Sequence, residues 1–120
     1  MTAQNKSTSP AEAIALYDKL IQTNPQIERK GATNPYTSLN GNMFTHLDPS
    51  GTLSIRLPEK EREAFLKKYK TTLHEAHGIV QKEYVTVPAG LLGNTKELKQ
   101  YLDQSYEYAK TLKPKPPKKP

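Results

Sequence analysis

The stretch YTSLNGNMFTHLDPSGTLSIRL, residues 36–57, decides the fold of this 120-residue chain. Asn40-Gly41 is the pair best suited to the positive backbone angles of a two-residue hairpin turn. The turn tetrad Asp48-Pro49-Ser50-Gly51 follows, and after it apolar and polar residues alternate as in a strand buried on one face. These signals predict a meander of three antiparallel strands. Strict alternation along the middle strand predicts one face with Met43, Thr45 and Leu47 and another with Asn42, Phe44 and His46.

Helices are predicted on both sides of this meander. The first begins at Ser9-Pro10-Ala11-Glu12, because Ser9 can cap the free amides and Pro10 fits the first turn. It stops before Pro25, since the residue preceding a proline avoids helical angles. Pro58 opens a second helix with acidic residues at its start and lysines near its end, an arrangement that the helix dipole favours.

The rest of the chain predicts two more strands and a long helix. The strands are expected near residues 71–75 and 83–87, with a link at Gly78. Residues 88–92 predict a single helical turn, and Asn94-Thr95-Lys96-Glu97 repeats the cap-plus-glutamate pattern at the start of the final helix. The buried stripe of that helix is Leu98, Tyr101, Leu102, Ser105, Ala109 and Leu112. The order of helix, three-stranded antiparallel meander, helix, two strands, short turn and C-terminal helix predicts a single α+β domain.

Composition limits the class of protein. Apolar residues make up 34% of the chain, so the core is modest, and 120 residues suit one domain. Without cysteine, disulfides, thiolate nucleophiles and thiolate metal sites are excluded. No apolar run approaches the roughly 20 residues that cross a bilayer, and residues 1–9 lack the apolar stretch of a signal peptide. We therefore expect a cytoplasmic protein without a membrane partner.

The formal charge of +6 is concentrated at the C-terminus. Residues 113–120 hold four lysines and four of the ten prolines, while the other 112 residues carry 14 basic and 12 acidic groups. We expect a flexible N-terminus (1–9), an α+β domain (10–112) and a disordered Lys/Pro-rich tail (113–120). The tail is interpreted as a solubilising terminus, and weak, salt-dependent attraction to nucleic acid or to an acidic partner is the alternative.

Several motifs occur in a familiar order: Leu39-Asn40-Gly41-Asn42-Met43-Phe44, Leu53-Ser54-Ile55-Arg56-Leu57, and Tyr84-Val85-Thr86-Val87-Pro88. Together with the acidic helix ending near Phe65 and the closing helix after Leu91-Leu92, this order resembles the TfoX N-terminal domain family. The resemblance covers about residues 11–112. One segment departs from the family, whose members tend to carry Met-Phe-Gly-Gly in the first strand. Residues 29–36 read RKGATNPY here, with Gly31 as a remnant, so a divergent branch is implied.

The resemblance implies a stand-alone interaction module of a bacterial cytoplasm with a regulatory role. It transfers no catalytic residue, and the family name is not evidence for DNA binding. Any function that depends on the glycine-rich first strand is in doubt for this chain.

His74-Glu75-Ala76-His77 is the string most like a metal site, because neutral imidazoles beside a carboxylate are good zinc ligands. Two histidines three residues apart do not fit the helical zinc-protease motif, and on a strand they point to opposite faces. The favoured interpretation is surface histidines in a loop. His46 could complete a site only if its face of the sheet meets that loop. We therefore predict no metal and no cofactor.

The sequence also lacks the usual catalytic patterns. Its serines lack the strand-to-helix elbow that activates a nucleophile, and Gly90 and Gly93 lack the lysine and spacing of a phosphate-binding loop. Glu59, Glu61 and Glu63 alternate with basic residues, as on a solvated helix face. We predict that the protein is not an enzyme. The enzymatic alternative is a polar pocket formed by His46, Arg56 and Tyr84.

Seven tyrosines against two phenylalanines raise the question of a binding surface. Tyr101, Tyr106 and Tyr108 lie on the final helix, where packing in the core or in an interface is favoured over stacking on bases. The leading hypothesis is a non-catalytic binding or regulatory module that contacts a protein partner, or a second copy in a homodimer, through these tyrosines. The alternative is association with nucleic acid through the final helix and the tail lysines Lys113, Lys115, Lys118 and Lys119.

Overall fold

A computed structural model describes residues 10–31, 34–76 and 78–113 of the chain. The elements are α1 (Pro10–Ile21), β1 (Tyr36–Leu39), β2 (Asn42–Leu47), β3 (Leu53–Arg56), α2 (Glu59–Tyr69), β4 (Leu73–Ala76), β5 (Ile79–Thr86), α3 (Ala89–Leu92) and α4 (Thr95–Thr111). The predicted α+β class and the predicted order of elements are confirmed. The expectations for residues 1–9 and for 114–120 lie outside the described residues.

Both turns of the meander form where the sequence predicts them. Asn40 and Gly41 have φ angles of 54° and 82°, the positive values that a two-residue turn between β1 and β2 requires. Between β2 and β3, the Asp48 carboxylate accepts hydrogen bonds from the amides of Ser50 and Thr52, each at 3.0 Å. The three strands are therefore neighbours in a sheet of order β1-β2-β3-β5-β4, in which every pair is antiparallel.

The prediction of which β2 side chains share a face is wrong, because the strand contains a β-bulge. Thr37 of β1 lies opposite Thr45, but the next residue, Ser38, lies opposite Met43. Phe44 is therefore an extra residue on β2, and the strict alternation of side chains is interrupted there.

The bulge turns two consecutive side chains of β2 towards the helices. The Phe44 ring packs on Tyr106 of α4, and the Thr45 hydroxyl forms a hydrogen bond with the Tyr17 hydroxyl of α1 at 2.7 Å. The strand consequently buries Asn42, Phe44, Thr45 and Leu47, and leaves Met43 and His46 half-buried.

The helices pack together over one side of the sheet. Helix α4 crosses β1, β2 and β3, α1 packs on α4 and β2, and α2 packs on β5. Asn24, just after α1, donates a hydrogen bond to Asp103 of α4 at 2.9 Å. The largest fully buried side chains include Tyr17, Phe44, Phe65, Leu20, Leu53, Ile55, Leu57, Leu98 and Leu102. In the described ranges, no helix combines the length and the hydropathy that crossing a membrane requires.

Helix α4 follows its predicted pattern closely. The Asn94 side chain accepts a hydrogen bond from the Glu97 amide at 3.2 Å, as expected for a cap. Five of the six predicted stripe residues are buried, and Leu112 is half-buried.

The second hairpin differs from its predicted boundaries. Strand β5 begins at Ile79, four residues before the predicted start, because its pairing with β4 continues to Ala76 opposite Ile79. Gly78, with a φ of 77°, lies in the connection between the strands, as predicted.

Candidate functional site

The three tyrosines predicted as a contact surface do not share one face of α4, because Tyr106 lies on the other flank of the helix from Tyr101 and Tyr108. Ser105 faces the sheet, and its hydroxyl donates towards the backbone carbonyls of Phe44 and Arg56. At 100° per residue, Tyr106 and Tyr108 lie on opposite flanks of Ser105. The structure therefore does not join them into one surface.

Tyr101 belongs to the core. It is 8% exposed, and its ring meets Phe65 at a centroid distance of 4.9 Å and Tyr69 at 5.8 Å, both edge to face. Its hydroxyl lies 3.2 Å from that of Tyr69, which also donates to the Glu97 carboxylate. Burial, and then the hydrogen bonds with Glu97 and Tyr101, raise the pKa of Tyr69, so this phenol remains a donor. Tyr101 thus offers almost no surface to a partner.

Tyr106 covers the bulge of β2. Its ring centroid lies 5.9 Å from that of Phe44, and the ammonium of Lys110 lies 4.8 Å from the Tyr106 ring centroid on the same helix. The side chain is half-buried, so it combines a packing role with some exposed surface.

Tyr108 lines a groove of about 520 Å³ between the start of α2 and the C-terminal half of α4. Its hydroxyl donates to Glu83 of β5 at 3.2 Å. Burial, and then the Glu83 carboxylate, raise the pKa of Tyr108, which keeps the phenol protonated near neutral pH. The lining residues of this α2–α4 groove are Pro58, Glu61, Asp103, Gln104, Glu107, Tyr108 and Thr111.

The α2–α4 groove is acidic. Three of its lining side chains are carboxylates, those of Glu61, Asp103 and Glu107, and in the described part of the chain no lysine or arginine lines it. The Pro58 ring and the Tyr108 ring supply apolar surface. The Oε1 atom of Gln104 is buried and has no hydrogen-bond partner among the described residues. A buried acceptor without a donor costs free energy, but this atom has almost no exposed surface and is not available to an occupant of the groove.

Behind Tyr108, a polar network ties β5 to β2 and β3. The Arg56 guanidinium donates to the Glu83 carboxylate at 2.6 Å, and the Tyr84 hydroxyl donates to the Met43 carbonyl at 2.7 Å. Burial alone would raise the pKa of Glu83, but the hydrogen bond and the charge of Arg56 outweigh it and hold that pKa below its usual value. Glu83 therefore remains a carboxylate near neutral pH and holds Arg56 in place.

His46, Arg56 and Tyr84, the residues of the polar pocket predicted as the enzymatic alternative, are brought together only in part. The Arg56 guanidinium lies 5.6 Å from the Tyr84 ring centroid, and the His46 ring lies 5.5 Å from the same ring. The strongest polar contacts of Arg56 and Tyr84 are made to Glu83 and to the Met43 carbonyl, respectively, so these two side chains serve to join strands.

His74 does not lie in the surface loop that the sequence favours. His74 is in β4 and is buried, and its ring lies 4.8 Å from that of His46 of β2. His77 lies outside the described residues. In the described ranges, no group of three or more His, Cys, Asp or Glu side chains is placed to hold a metal ion. The sequence leaves the contact between His46 and His74 open, because it joins strands that are not neighbours in the sheet.

Of the four tail lysines, only Lys113 is described. Its side chain is exposed, and its backbone carbonyl accepts a hydrogen bond from the Asn42 amide group at 2.9 Å. Lys115, Lys118 and Lys119 lie outside the described residues.

A second surface cavity of about 660 Å³ lies beside the end of α1. Arg29 and Asp18 both line it and form an ion pair at 2.9 Å. In the α2–α4 groove, Asp103 and Glu107 are likewise paired, with Lys99 at 2.7 Å and Lys110 at 3.2 Å, and Glu61 is the lining carboxylate without an ion-pair partner among the described residues.

Comparison with known proteins gives no assignment. The chain matches no protein-family model, and searches of the curated proteins and of the solved structures find no match either.

Proposed function

We propose that the protein is a non-catalytic binding or regulatory module that acts through protein–protein contacts. The observation that carries this proposal is the α2–α4 groove, in which carboxylates surround the apolar surfaces of Tyr108 and Pro58. Interfaces are enriched in tyrosine because its ring buries a large area while its hydroxyl stays hydrogen-bonded. The resemblance of the sequence to TfoX N-terminal domains is consistent with a regulatory role.

The chemistry of the α2–α4 groove indicates the kind of partner. Glu61, which has no ion-pair partner among the described residues, attracts cations and repels acidic segments, whereas Asp103 and Glu107 are already paired with Lys99 and Lys110. We therefore expect the occupant to be a protein segment with lysine or arginine side chains beside an apolar residue.

Charge reversal on α2 tests this proposal with a matched control. Glu61 lines the α2–α4 groove, whereas Glu63 is exposed on the same helix and is not among the lining residues. Wild type, Glu61→Lys and Glu63→Lys are immobilised, and the proteins that each retains from the native cell are quantified by mass spectrometry. The proposal expects a set retained by wild type and by Glu63→Lys and depleted at least tenfold with Glu61→Lys. Equal retention by all three would refute a role for this groove.

A homodimer is the special case in which the partner is a second copy. Sedimentation of the full chain over a range of concentrations measures the oligomeric state. A dimer lost in Glu61→Lys and kept in Glu63→Lys would place the second copy in this groove, and a monomer at all concentrations would exclude self-association.

The alternative function, association with nucleic acid, has its support in the lysines of 113–120. Glu61 in the α2–α4 groove opposes phosphate on this flank of α4. If the four tail lysines each contact a DNA phosphate, the logarithm of the binding constant should fall with the logarithm of salt concentration with a slope of about −3 to −4. Deletion of 113–120 should then remove most of the binding. Absent or salt-independent binding would rule this function out.

A further inference from the structure

The end of the β4–β5 hairpin bends over the face of the sheet that carries His46. His46 of β2 and His74 of β4 belong to strands that are separated by β3 and β5, yet their ring centroids lie 4.8 Å apart, with planes at 72°. Adjacent strands lie about 4.8 Å apart, so in a flat sheet β2 and β4 would be about 14 Å apart. The bend coincides with an irregularity in pairing, since Leu73 lies opposite Val85 but His74 lies opposite Gln81.

The hairpin has little other support in this position. Strand β4 is an edge strand that packs chiefly on β5. His46 follows Thr45, which bonds Tyr17 of α1, so the His46 ring lies on the opposite face of the sheet, away from that helix. Ile79 and Val80 at the start of β5 are exposed and bury little apolar surface. The ring contact with His46 therefore helps to hold the end of the hairpin against β2.

The bent hairpin withdraws polar groups from water. His74 is only 6% exposed although it belongs to an edge strand, and Ser54, which lies opposite His46 on β3, is completely buried. The Oγ atom of Ser54 has no hydrogen-bond partner among the described residues. A buried polar atom without a partner costs free energy, and water would remove this cost once the hairpin opened.

A proton on His46 is unfavourable while the hairpin is closed. Burial, and then the proximity of His74, lower the pKa of His46 from its ordinary value of 6.5. A hydrogen bond with the Gln81 side chain and the negative charge of Asp48 oppose this change but do not cancel it.

The other ionisable groups near His46 do not compensate its charge. The Tyr84 ring of β5 lies 5.5 Å from the His46 ring, and burial raises the pKa of Tyr84, so this phenol is neutral where histidine titrates. Arg56 of β3, whose guanidinium lies 5.6 Å from the Tyr84 ring centroid, is already paired with Glu83. Asp48 is therefore the carboxylate that favours a charged His46, and its effect is outweighed.

We propose that the contact between His46 and His74 is a pH-sensitive device that holds the end of the β4–β5 hairpin on β2 at neutral pH and releases it in mildly acidic solution. When the hairpin opens, water reaches the His46 imidazole and its pKa returns towards 6.5. The open state therefore binds the proton more tightly than the closed state does. The closed state has its full stability above pH 6.5, and part of that stability is lost as the pH falls through the lower pKa of His46 in the closed state.

Hydrogen exchange of the full chain, followed by NMR at about pH 8 and about pH 5, tests the proposal. Protection factors, corrected for the intrinsic exchange rate at each pH, are compared between residues 74–76 and 79–81 and the core of α4. At the lower pH, we expect the protection of the hairpin end to fall at least about threefold relative to that of α4. An unchanged ratio would overturn the proposal.

Two variants assign the effect to its residue. His46→Gln removes the titrating imidazole, and the control His77→Gln removes the third histidine of the chain. The pH dependence of the hairpin amides should vanish in His46→Gln and remain in His77→Gln. A pH dependence of the same size in His46→Gln and wild type would show that another group controls the hairpin.

A measurement on the wild type alone covers the case in which His46→Gln does not fold. The imidazole resonances of His46 and the amide resonances of residues 79–81 are followed in one NMR pH titration. His46 should titrate with a midpoint below 6.5, and the amides should change with the same midpoint. A His46 midpoint at or above 6.5, or hairpin amides that do not follow His46, would contradict the device.

Discussion

Gly31 adopts a backbone conformation that residues with a side chain rarely adopt. Its φ is 82°, and a Cβ atom added there would lie 2.3 Å from the Asn34 carbonyl oxygen. Gly31 adopts this conformation because Lys30, just before it, pairs with Tyr36 at the start of β1. Lys30 and Tyr36 exchange two backbone hydrogen bonds, at 2.8 and 2.9 Å. Gly31 is therefore explained by the local geometry of the chain, whether or not it is the remnant of a glycine-rich strand.

Gly31→Ala should lower the free energy of unfolding by about 2 kcal/mol or more, through the positive φ and the clash with Asn34. Urea denaturation measures the change. Gly90→Ala is the control, because a Cβ at Gly90 meets no atom within 4 Å and its φ is not positive. Equal stability of the two variants would show that the segment before β1 relaxes freely.

Tyr17 anchors α1 through a chain of buried hydroxyls. Its hydroxyl bonds Thr45 at 2.7 Å, and Thr45 bonds Thr37 at 2.6 Å. Burial raises the pKa of Tyr17 to about 12, although the hydrogen bonds with Thr45 and Thr37 oppose the shift. The folded state therefore holds this proton more tightly than the unfolded state does.

Tyr17→Phe should lower the free energy of unfolding at pH 7 by about 1–2 kcal/mol, since Thr45 loses one partner. Because the pKa is raised on folding, the protonated Tyr17 stabilises the fold fully below pH 10, and about 2–3 kcal/mol is lost as the pH rises to about 12. The advantage of wild type over Tyr17→Phe should therefore disappear over this range, and Tyr17→Phe should become the more stable protein near pH 12, in denaturation experiments. The other tyrosines titrate in both proteins, so a constant difference would argue against the raised pKa.

At the scale of elements, the bulge in β2 and helix α4 form one unit. The bulge brings the Phe44 carbonyl within reach of the helix, and the small Ser105 side chain donates to it at 3.1 Å. Sequence periodicity places Ser105 in the buried stripe correctly but does not show what its hydroxyl binds, because a bulge depends on the pairing of two strands.

Ser105→Ala should lower the free energy of unfolding by about 1 kcal/mol, because a buried carbonyl loses its donor and the better helix propensity of alanine offsets only part of this. Thermal denaturation followed by circular dichroism measures the change. The control Gln100→Ala lies at an exposed position of the same helix and should be neutral. A neutral result for Ser105→Ala would mean that water replaces the hydroxyl.

At the scale of the whole molecule, the helices support the strands unequally. Helix α4 crosses β1, β2 and β3, whereas β4 is an edge strand that contacts chiefly β5. At the end of this hairpin, Ile79 and Val80 are 67% and 47% exposed.

Hydrogen exchange should reveal this gradient. The amides of β2, β3 and α4 are expected to exchange slowest, and those of Ile79 and Val80 to exchange before other strand residues, because local opening of an edge hairpin breaks few buried contacts. Exchange measured by mass spectrometry with peptide resolution checks this order. Uniform protection of all five strands would contradict it.

The sequence alone determined the class of fold, the order of elements, both turns of the meander and the cap of α4, because each depends on the backbone preferences of a few consecutive residues. Only the tertiary structure decided the bulge at Phe44, the burial of Tyr101, the α2–α4 groove beside Tyr108 and the meeting of His46 with His74. These features join residues that are distant in the chain, and they depend on strand register, sheet curvature and helix packing. Those properties result from the whole core and are not encoded in any local pattern.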